Sequence, residues 1–477
     1  MPRQTKIIAT LGPAVASEEG VRSLIDAGMD IARLNFSHGE ADLHRRMVDW
    51  VRTAAHDAGR VIGIMQDIQG PKLRCGEFPG GAIDLRTDQE VELVPGTGEG
   101  DDDTIHVGYD SLLEDVEPGH RVVLADGMVQ LEVTASGGRG LKAKVVSGGQ
   151  LADHKGVAFP DSSLSVENIT SKDEADLEFG RKLDVDYVAA SFVRTGADVE
   201  AVAALSGDAA VIAKIELAQA LDNLDEIIGA SFGVMVARGD LGVQLPLDRI
   251  PLIQADILHR ANAAGVISVT ATEMLESMTQ STRPTRAEVT DVANAVMTGT
   301  DAVMLSGETA VGSYPARTVA VMSRICQTIE EGTLSTRGDY PVRFVGDVNQ
   351  VASAVAQAAT QIARNVGART IVAFTESGTT ARLISKYRPE QRIVAFTPNE
   401  STLRQMALLW GVTPHPFERK IYTDDEMSAA AKILEEEGVA SEGERVVMVA
   451  GVPPNFRAST NLVKVHQIGE SAGGLGG

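Results

Sequence analysis

The chain has 477 residues, long enough for two to four domains, and its 43% hydrophobic and 23% charged content is ordinary for a globular protein. Its formal net charge of −23 argues against a general nucleic-acid or anionic-membrane binder, although a local cluster of cations still suits an anionic substrate. Cys75 and Cys326 are too few for a disulfide framework. We find no apolar run of signal-peptide or membrane-helix length and therefore expect a cytoplasmic protein.

Short apolar runs alternate with helical patterns along most of the chain. A Ser17-capped helix ending at Gly28 follows the first run, and Ser171 is predicted to cap a later helix ending near Leu183. The runs that predict strands cover residues 5–10, 30–38, 61–67, 186–193, 210–216, 233–240, 266–274 and 301–308. This pattern predicts an α/β protein with a (β/α)8 barrel. A doubly wound sheet is the alternative, but the first turn is LGP rather than a Gly-rich dinucleotide turn.

Two other segments depart from this alternation. Residues 71–160 show short alternating strands separated by Gly, Asp and Pro, which predicts a small all-β lid domain inserted between barrel parts 1–70 and 161–332. A composition shift near residue 333 indicates a linker, and residues 333–477 are predicted to form a separate α/β domain. The tail SAGGLGG is expected to be disordered.

Polar and charged residues end the predicted barrel strands. Because the carboxyl ends of barrel strands meet on one face, we expect these residues to converge there. They are Arg33, Asn35, Ser37, His38, Asp67, Ser191, Lys214, Glu216, Arg238, Asp240, Thr272, Glu273, Ser306 and Glu308. One such strand alone would be explained by an internal Lys–Glu ion pair. The whole set predicts an active site, over which the inserted domain can close as a lid.

The residue types indicate the chemistry of this face. Glu216 and Asp240 can share one hard divalent cation, and Arg33 and Lys214 can form an anion pocket. The Thr272 hydroxyl can orient a carboxylate or relay a proton. These residues support phosphoryl transfer or enolate chemistry on a small anionic substrate, and composition and spacing do not choose between the two.

Eight motifs, in order along the barrel, carry a resemblance to a known family. They are TKIIATLGP, ARLNFSHG, QDIQGPKLR, KGVAFP, AKIE, VARGDLGV, ATEMLESM and VMLSGETA. With the C-terminal domain, the chain resembles pyruvate kinases over essentially its whole length. The resemblance implies transfer of the phosphoryl group of phosphoenolpyruvate to ADP, giving pyruvate and ATP, with Mg²⁺ or Mn²⁺ as cofactor.

The resemblance also implies roles for individual residues. Glu216 and Asp240 would hold the divalent ion, and Lys214 would stabilise the transferring phosphoryl group and the enolate. Arg33 would bind phosphate with support from Arg74 at the lid hinge. The substrate carboxylate would meet the backbone of Gly239 and Asp240 and the Thr272 hydroxyl. Proton transfer would involve Thr272 with Ser306, and the nucleotide phosphates would meet Asn35, His38 and Lys155.

Two positions depart from the common family pattern. Many members bind potassium through residues matching Asn35, Ser37 and Asp67 and carry a glutamate where this chain has Lys72. Lys72 together with Gln69 is similar to the potassium-independent branch, which implies that the Lys72 ammonium replaces the ion. Glu273 stands where glutamine is more common, and we expect it to turn away from the site.

The C-terminal domain carries a candidate effector site. In FTESGTTAR, hydroxyls and backbone N–H groups at a strand-to-helix turn can form an anion nest, whereas a simple N-cap at Ser377 is the plainer interpretation. The nest residues are Thr375, Ser377, Gly378, Thr379 and Thr380. The resemblance favours a phosphorylated effector, a sugar phosphate or a nucleotide monophosphate such as AMP, in a homotetramer. A phosphoenolpyruvate lyase or aldolase and a catalytically silent metabolite sensor are the rival hypotheses.

Overall fold

The structure is a computed structural model that describes residues 2–334, 349–452 and 460–470. The chain begins with three parallel strands of the barrel and two helices that connect them. The strands are β1 (Lys6–Leu11), β2 (Ile31–Asn35) and β3 (Gly63–Asp67), and the helices are α1 (Glu18–Ala27) and α2 (Ala41–Asp57). The Ser17 side chain caps α1 by accepting from the Gly20 N–H, and Gly28 ends it with φ 116°. Both predicted ends of this helix are therefore confirmed.

A mostly β insertion follows β3. Its elements are β4 (Ala82–Leu85), β5 (Glu90–Pro95), β6 (Thr104–Val107), α3 (Leu112–Asp115), β7 (Arg121–Leu124), β8 (Val129–Gly137), β9 (Gly140–Ser147), β10 (Gly149–Ala152) and β11 (Val157–Ala158). Six strands form one sheet in the order β11-β7-β8-β9-β5-β6, and β10 pairs with β4. Alternate residues such as Leu93, Leu131 and Leu141 face inward and give the insertion an apolar core of its own.

Five more parallel strands complete the barrel. They are β12 (Tyr187–Ala190), β13 (Ala210–Ile215), β14 (Gly233–Ala237), β15 (Ile267–Ala271) and β16 (Ala302–Leu305). The helices of this part are α4 (Ser171–Lys182), α5 (Gly196–Ser206), α6 (Ala218–Asp222), α7 (Leu224–Ala230), α8 (Arg238–Gln244), α9 (Ile250–Ala263), α10 (Arg286–Thr298), α11 (Gly307–Ala310) and α12 (Pro315–Leu334). The closed order is β1-β16-β15-β14-β13-β12-β3-β2, which confirms the predicted barrel.

Local details differ from the sequence predictions. The cap of α4 is Thr170 rather than Ser171, because the Thr170 hydroxyl accepts from the Asp173 N–H while the Asp173 carboxylate accepts from the Thr170 N–H. The second barrel strand ends at Asn35, before the predicted end at residue 38. Arg238 was predicted to end a strand but is the first residue of α8. The strands therefore end earlier than their apolar runs suggested.

The C-terminal region forms a separate sheet. Its elements are α13 (Gln350–Val366), β17 (Thr370–Phe374), α14 (Thr379–Lys386), β18 (Arg392–Thr397), α15 (Glu400–Gln405), β19 (Val412–Pro416), α16 (Thr423–Glu436), β20 (Arg445–Ala450) and β21 (Leu462–Gln467). The sheet order is β19-β18-β17-β20-β21, with β21 antiparallel to β20. The sequence prediction missed β19 and α16. Most of the predicted linker and the whole predicted disordered tail lie outside the described residues.

Buried ion pairs join this sheet domain to the amino-terminal end of the barrel. Asp301, which precedes β16, accepts from Lys386 at 2.5 Å and lies 2.8 Å from the Arg388 guanidinium. Arg404 likewise lies 2.5 Å from Asp186, which precedes β12. Within the described ranges, the structure contains no helix both long and apolar enough to cross a bilayer.

Candidate active site

The centre of the site is the ammonium group of Lys214, which emerges near the end of β13. Its Nζ lies 2.8 Å from Glu216 Oε1 and 3.2 Å from Asp67 Oδ1, and it donates to Ser191 Oγ at 2.6 Å. The side chain is only 12% exposed. Burial alone lowers the pKa of Lys214, but attraction to Asp67 and then Glu216 outweighs it, so the pKa is raised and the amine stays charged.

A second cation, Arg33 on β2, is fixed beside this group. Its Nε donates to Asp67 Oδ2 at 2.7 Å, and Nη1 donates to the Thr10 hydroxyl at 2.9 Å. Burial alone raises the pKa of Asp67, but Arg33 and Lys214 hold it below its usual value. Asp67 therefore remains ionised between the two cations and holds both in place.

Glu216 and Asp240 line one cleft between the barrel and the inserted domain. The cleft has a volume of about 600 Å³, and its wall also includes Lys72 and Phe159. Lys72 Nζ lies 3.6 Å from Asp240 Oδ1. The nearby helix α8 contacts the turn after β7, so the inserted domain covers the rim. The two predicted acids are thus brought together beneath the predicted lid.

The pKa of Glu216 is raised mainly because the side chain is buried. The residue is 1% exposed, and its Oε2 accepts from the Phe192 backbone N–H at 2.7 Å. Burial first, opposed by Lys214 and reinforced by Asp240, raises the pKa of Glu216 to about 7. Carboxylate oxygens are the ligands that a hard divalent cation prefers, and such a cation would favour the ionised form of Glu216. The donor set therefore fits Mg²⁺ or Mn²⁺.

Thr272 occupies an unusual backbone conformation beside α8. Its φ of +65° lies in the left-handed region, which is costly for a β-branched residue and is found mainly at functional sites. The hydroxyl accepts from the Gly239 N–H at 2.8 Å and donates to the Ala271 carbonyl at 2.7 Å. Arg238 holds this turn, because its Nη2 donates to the Thr272 carbonyl at 2.7 Å. The hydroxyl must exchange a partner before it can bind a substrate.

Arg238 and Glu308, both expected at the rim, instead brace the surrounding backbone. The Arg238 guanidinium lies 2.6 Å from Asp291 Oδ2, outside the Lys214 network. Glu308 is fully buried and accepts from the backbone N–H groups of Leu275 and Ser306. Neither side chain is available to a ligand in this arrangement.

Within the described part of the chain, the side chains of the remaining predicted residues form no hydrogen bond or ion pair with the Lys214 ammonium or with its partners Asp67, Glu216 and Ser191. Asn35 Oδ1 accepts from the Ser37 N–H at 3.2 Å, and His38 is exposed next to them. Lys155 is exposed on the inserted domain, where its carbonyl accepts from the Cys75 N–H. Arg74 donates through Nη1 to the His154 carbonyl, at 3.0 Å.

Of three further rim positions, the sequence prediction agrees with the structure at one and missed the other two. Glu273 is exposed, as expected for a residue that turns away from the site. Sequence reasoning did not find Thr10, which holds Arg33, or the Phe192 N–H, which holds Glu216. Thr10 could have been found from the sequence, because it is a hydroxyl residue at the end of the first predicted strand, where the other site residues were expected. The sequence carries no signal for Phe192, because its contribution is a backbone N–H presented by a residue with φ +56°.

The predicted effector turn lies at the start of α14. Gly378, with φ +79°, is the N-cap, so the plainer alternative of an N-cap at Ser377 is wrong. Ser377 Oγ and Thr379 Oγ1 are 3.0 Å apart, and Thr380 Oγ1 lies 2.7 Å from Thr460 Oγ1. Thr375, just past β17, is 8% exposed. The turn thus splits into an exposed pair and two buried threonines.

Together, the closed parallel barrel and the charged rim define a barrel enzyme that acts on a small anionic substrate. Residues 2–319 match the family described as pyruvate kinase, barrel domain, and residues 353–466 match pyruvate kinase, alpha/beta domain. The chain therefore belongs to the pyruvate kinase family. Its activity is transfer of the phosphoryl group of phosphoenolpyruvate to ADP in glycolysis, which makes it a phosphotransferase.

Individual relatives agree with this assignment. The chain is 41% identical to a pyruvate kinase of Sporosarcina psychrophila over 98% of its own length and 81% of the relative. It is also 41% identical to a pyruvate kinase of Corynebacterium glutamicum, with 98% of each chain covered. The crystal structure of a pyruvate kinase from Cryptosporidium parvum superposes with a TM-score of 0.91 at 37% identity, covering 98% of this chain and 96% of that one. The family generally uses a divalent metal.

Proposed function

We propose that phosphoryl transfer takes place in the cleft beside Lys214, with Glu216 and Asp240 as the ligands of Mg²⁺ or Mn²⁺. The two carboxylates line the same cleft, and burial first raises the pKa of Glu216 to about 7, so a bound divalent ion would favour its ionised form. A bound divalent ion would supply positive charge to the phosphate and enolate oxygens as the bond to phosphorus breaks. Lys72, 3.6 Å from Asp240, neutralises part of the site when no metal is present.

Lys214 and Arg33 act on the phosphoryl group. Asp67 pairs with both cations, so their charges are already held in place before a substrate binds, and preorganised charge is effective in a buried site. Lys214 stabilises the transferring group and the enolate oxygen, and Arg33 binds phosphate oxygens. Arg74, at the hinge of the inserted domain, supports Arg33 when the lid moves.

The carboxylate end of the substrate meets α8. The backbone N–H groups of Gly239 and Asp240 lie in its first turn, and the Thr272 hydroxyl already contacts the Gly239 N–H. A substrate carboxylate accepts from the Gly239 N–H in place of the Thr272 hydroxyl, and the Thr272 O–H leaves the Ala271 carbonyl to donate to the substrate. Thr272, together with Ser306 just past the end of the neighbouring strand β16, then delivers the proton to the enolate carbon.

The nucleotide phosphates bind at the residues that follow β2 and at the inserted domain. Asn35 and His38 follow β2, and Lys155 projects from the inserted domain. Their exposure suits a substrate that must enter and leave in each turnover. Closure of the inserted domain brings Lys155 to the phosphates.

We further propose that the enzyme works without potassium. Asp67, predicted with Asn35 and Ser37 to line a monovalent-cation pocket, is already paired with Arg33 and Lys214. Lys72 adds a third ammonium or guanidinium charge on the Asp240 side of the cleft. The positive charge that potassium would supply is therefore built into the chain. The sequence suggested that Lys72 occupies the pocket of Asp67, but Lys72 contacts Asp240 instead.

The regulatory and cellular proposals rest on family likeness and the C-terminal turn. Ser377, Gly378 and Thr379 present hydroxyls and backbone at the start of α14, which supports a phosphorylated effector, and Thr375 and Thr380 support the turn from beneath. We also propose a homotetramer in the cytoplasm, with domain boundaries at residues 70, 160 and 332.

The observation that carries the catalytic proposal is the Lys214 ammonium held between Glu216 and Asp67 at the rim. Pyruvate formation from phosphoenolpyruvate should require both ADP and a divalent metal, with one ATP formed per pyruvate. Pyruvate released at the same rate without ADP would contradict transfer to a nucleotide and favour a lyase or phosphatase.

A further inference from the structure

Two segments connect the inserted domain to the barrel, and we call them the entry stem (residues 68–72) and the exit stem (residues 160–170). The entry stem follows β3, and the exit stem leads into α4. One buried carboxylate, that of Asp173 in the first turn of α4, contacts both stems. Its Oδ1 accepts from the Gly70 N–H at 3.0 Å. Its Oδ2 accepts from the Thr170 N–H at 2.9 Å and from the Thr170 hydroxyl at 2.6 Å.

A helix cap alone does not explain this arrangement. The chain repeats the same capping box at α5, where Asp198 is partly buried and its Oδ2 accepts from Thr195 and Arg194 at the start of that helix. Asp173 is fully buried, and its second oxygen reaches Gly70, 103 positions away in the chain. Burying a carboxyl group is costly unless its oxygens are hydrogen-bonded, and a capping box requires neither the burial nor the distant contact.

Gly70 is also confined on its other side. Its φ of +65° favours glycine, and a Cβ at this position would lie 3.1 Å from side-chain carbons of Ser191 and Phe192. Ser191 Oγ accepts from the Lys214 ammonium, and the Phe192 N–H donates to Glu216. The entry stem is therefore fixed against the two residues that contact Lys214 and Glu216.

Beyond Gly70, the entry stem leads to the inserted-domain residues of the proposed site. Lys72 donates its backbone N–H to the Gly70 carbonyl at 2.8 Å, and its ammonium lies 3.6 Å from Asp240. Further along, the Cys75 N–H donates to the Lys155 carbonyl at 2.9 Å. The direction of the stem at Gly70 therefore sets where Lys72 and Lys155 lie relative to the barrel.

We propose that Asp173 is a positioning residue for phosphoryl transfer, because by fixing both stems it sets the axis about which the inserted domain closes over the cleft. It acts through Gly70 on the placement of Lys155, so the inference rests on the role proposed above for Lys155 at the nucleotide phosphates. A displacement of about 1 Å at the reacting groups can cost about 100-fold in rate, so the loss of one hinge contact is enough to be measured.

The test compares two substitutions in the same helix cap. Asp173→Asn replaces one acceptor oxygen with an amide group that only donates, so one stem loses its contact. Thr170→Val removes the cap hydroxyl but leaves the backbone N–H groups of both stems bonded to the carboxylate. With ADP as the varied substrate, kcat/KM should fall at least about tenfold in Asp173→Asn and stay at the parent value in Thr170→Val. Both variants should lose stability in urea.

Two further readouts separate the hinge from a general loss of structure. The KM for phosphoenolpyruvate should stay at the parent value in Asp173→Asn, because the residues proposed to bind it belong to the barrel. Mn²⁺ affinity should also be unchanged, because Glu216 and Asp240 are barrel residues. A lower Mn²⁺ affinity in Asp173→Asn would indicate damage to the barrel rim and would overturn the inference.

Lys155→Met tests the proposed nucleotide role itself and should raise the KM for ADP. An unchanged KM in Lys155→Met would contradict that role, whatever Asp173→Asn shows. If Lys155→Met raises the KM but Asp173→Asn gives the same kcat/KM as Thr170→Val, only the hinge inference fails.

A variant that does not fold leaves two other measurements. Asp173→Ser also keeps one oxygen acceptor and replaces Asp173→Asn with the same expectation. If neither folds, hydrogen exchange in the parent decides: the Gly70 amide should exchange slowly with and without ADP, because the closing motion begins beyond it. Fast exchange at Gly70 would overturn the inference.

Discussion

Asp301 and Glu216 are two buried carboxylates at opposite ends of the barrel, and their pKa values are shifted in opposite directions. At the amino-terminal end, Asp301 contacts both Lys386 and Arg388, and although burial alone raises its pKa, these cations hold it below its usual value. At the carboxyl-terminal end, Glu216 shares its one lysine with Asp67 and faces Asp240, so its pKa is raised to about 7 by burial first. At Asp301 two cations compensate the buried charge and join two domains, whereas at Glu216 the shared Lys214 only partly offsets burial and Asp240.

The largest expected effect concerns the lysine at the rim. Lys214→Met removes the only ammonium within salt-bridge distance of Glu216 among the described residues, so we expect kcat to fall about 10³-fold or more, as for loss of a transition-state cation in phosphoryl transfer. A coupled assay of pyruvate formation measures it. A variant that folds and keeps kcat within tenfold of the parent would contradict the role of Lys214.

The matched substitution at the other end should affect stability instead. Lys386→Met removes a lysine that is 1% exposed from Asp301, so we expect a loss of about 3 kcal/mol in unfolding free energy, at the lower limit for a broken buried pair because Arg388 remains. Denaturant unfolding measures the loss. Steady-state kcat should stay close to that of the parent, and a fall as large as that of Lys214→Met would erase the contrast between the two ends.

The pH dependence of stability sharpens the same contrast. Because the folded pKa of Asp301 is lowered, its contribution is fully present above the unfolded value of about 3.9 and is lost as pH falls toward the folded pKa. The stability advantage of the parent over Asp301→Asn should thus shrink as pH falls below about 4. An advantage that stays constant well below pH 4, measured by urea unfolding, would show that Asp301 is not an ionised partner.

The smallest expected effect concerns the lysine of the cleft. Parent activity should be the same in potassium and in tetramethylammonium at fixed ionic strength. Lys72→Glu should lose about tenfold in tetramethylammonium, within the energy of one charge pair at about 4 Å, and recover in potassium. A parent strongly activated by potassium, or a Lys72→Glu variant indifferent to it, would contradict potassium independence.

Much of the fold followed from the sequence because the pattern is repetitive. Eight apolar runs separated by helical segments allow few architectures, and the barrel places Arg33, Lys214 and Asp240 on one face whatever their separation along the chain. The missed strand Val412–Pro416 contains two prolines, which suppress a strand signal but are tolerated on the edge of the sheet.

The sequence did not predict how the site residues pair. Arg238 ends an apolar run as Lys214 nearly does, yet it turns outward to Asp291 because α8 begins at that residue. The left-handed φ of Thr272 and the Phe192 N–H that holds Glu216 depend on tertiary packing.

The central claim is tested most directly by Mn²⁺ binding, followed through the electron paramagnetic resonance of the free ion. Glu216→Gln removes one ligand, and we expect affinity to fall by at least about tenfold. Glu273→Gln removes an exposed acid near the same rim and should bind Mn²⁺ like the parent. Equal affinity in the parent and in Glu216→Gln would show that the metal lies elsewhere and would contradict this account of the site.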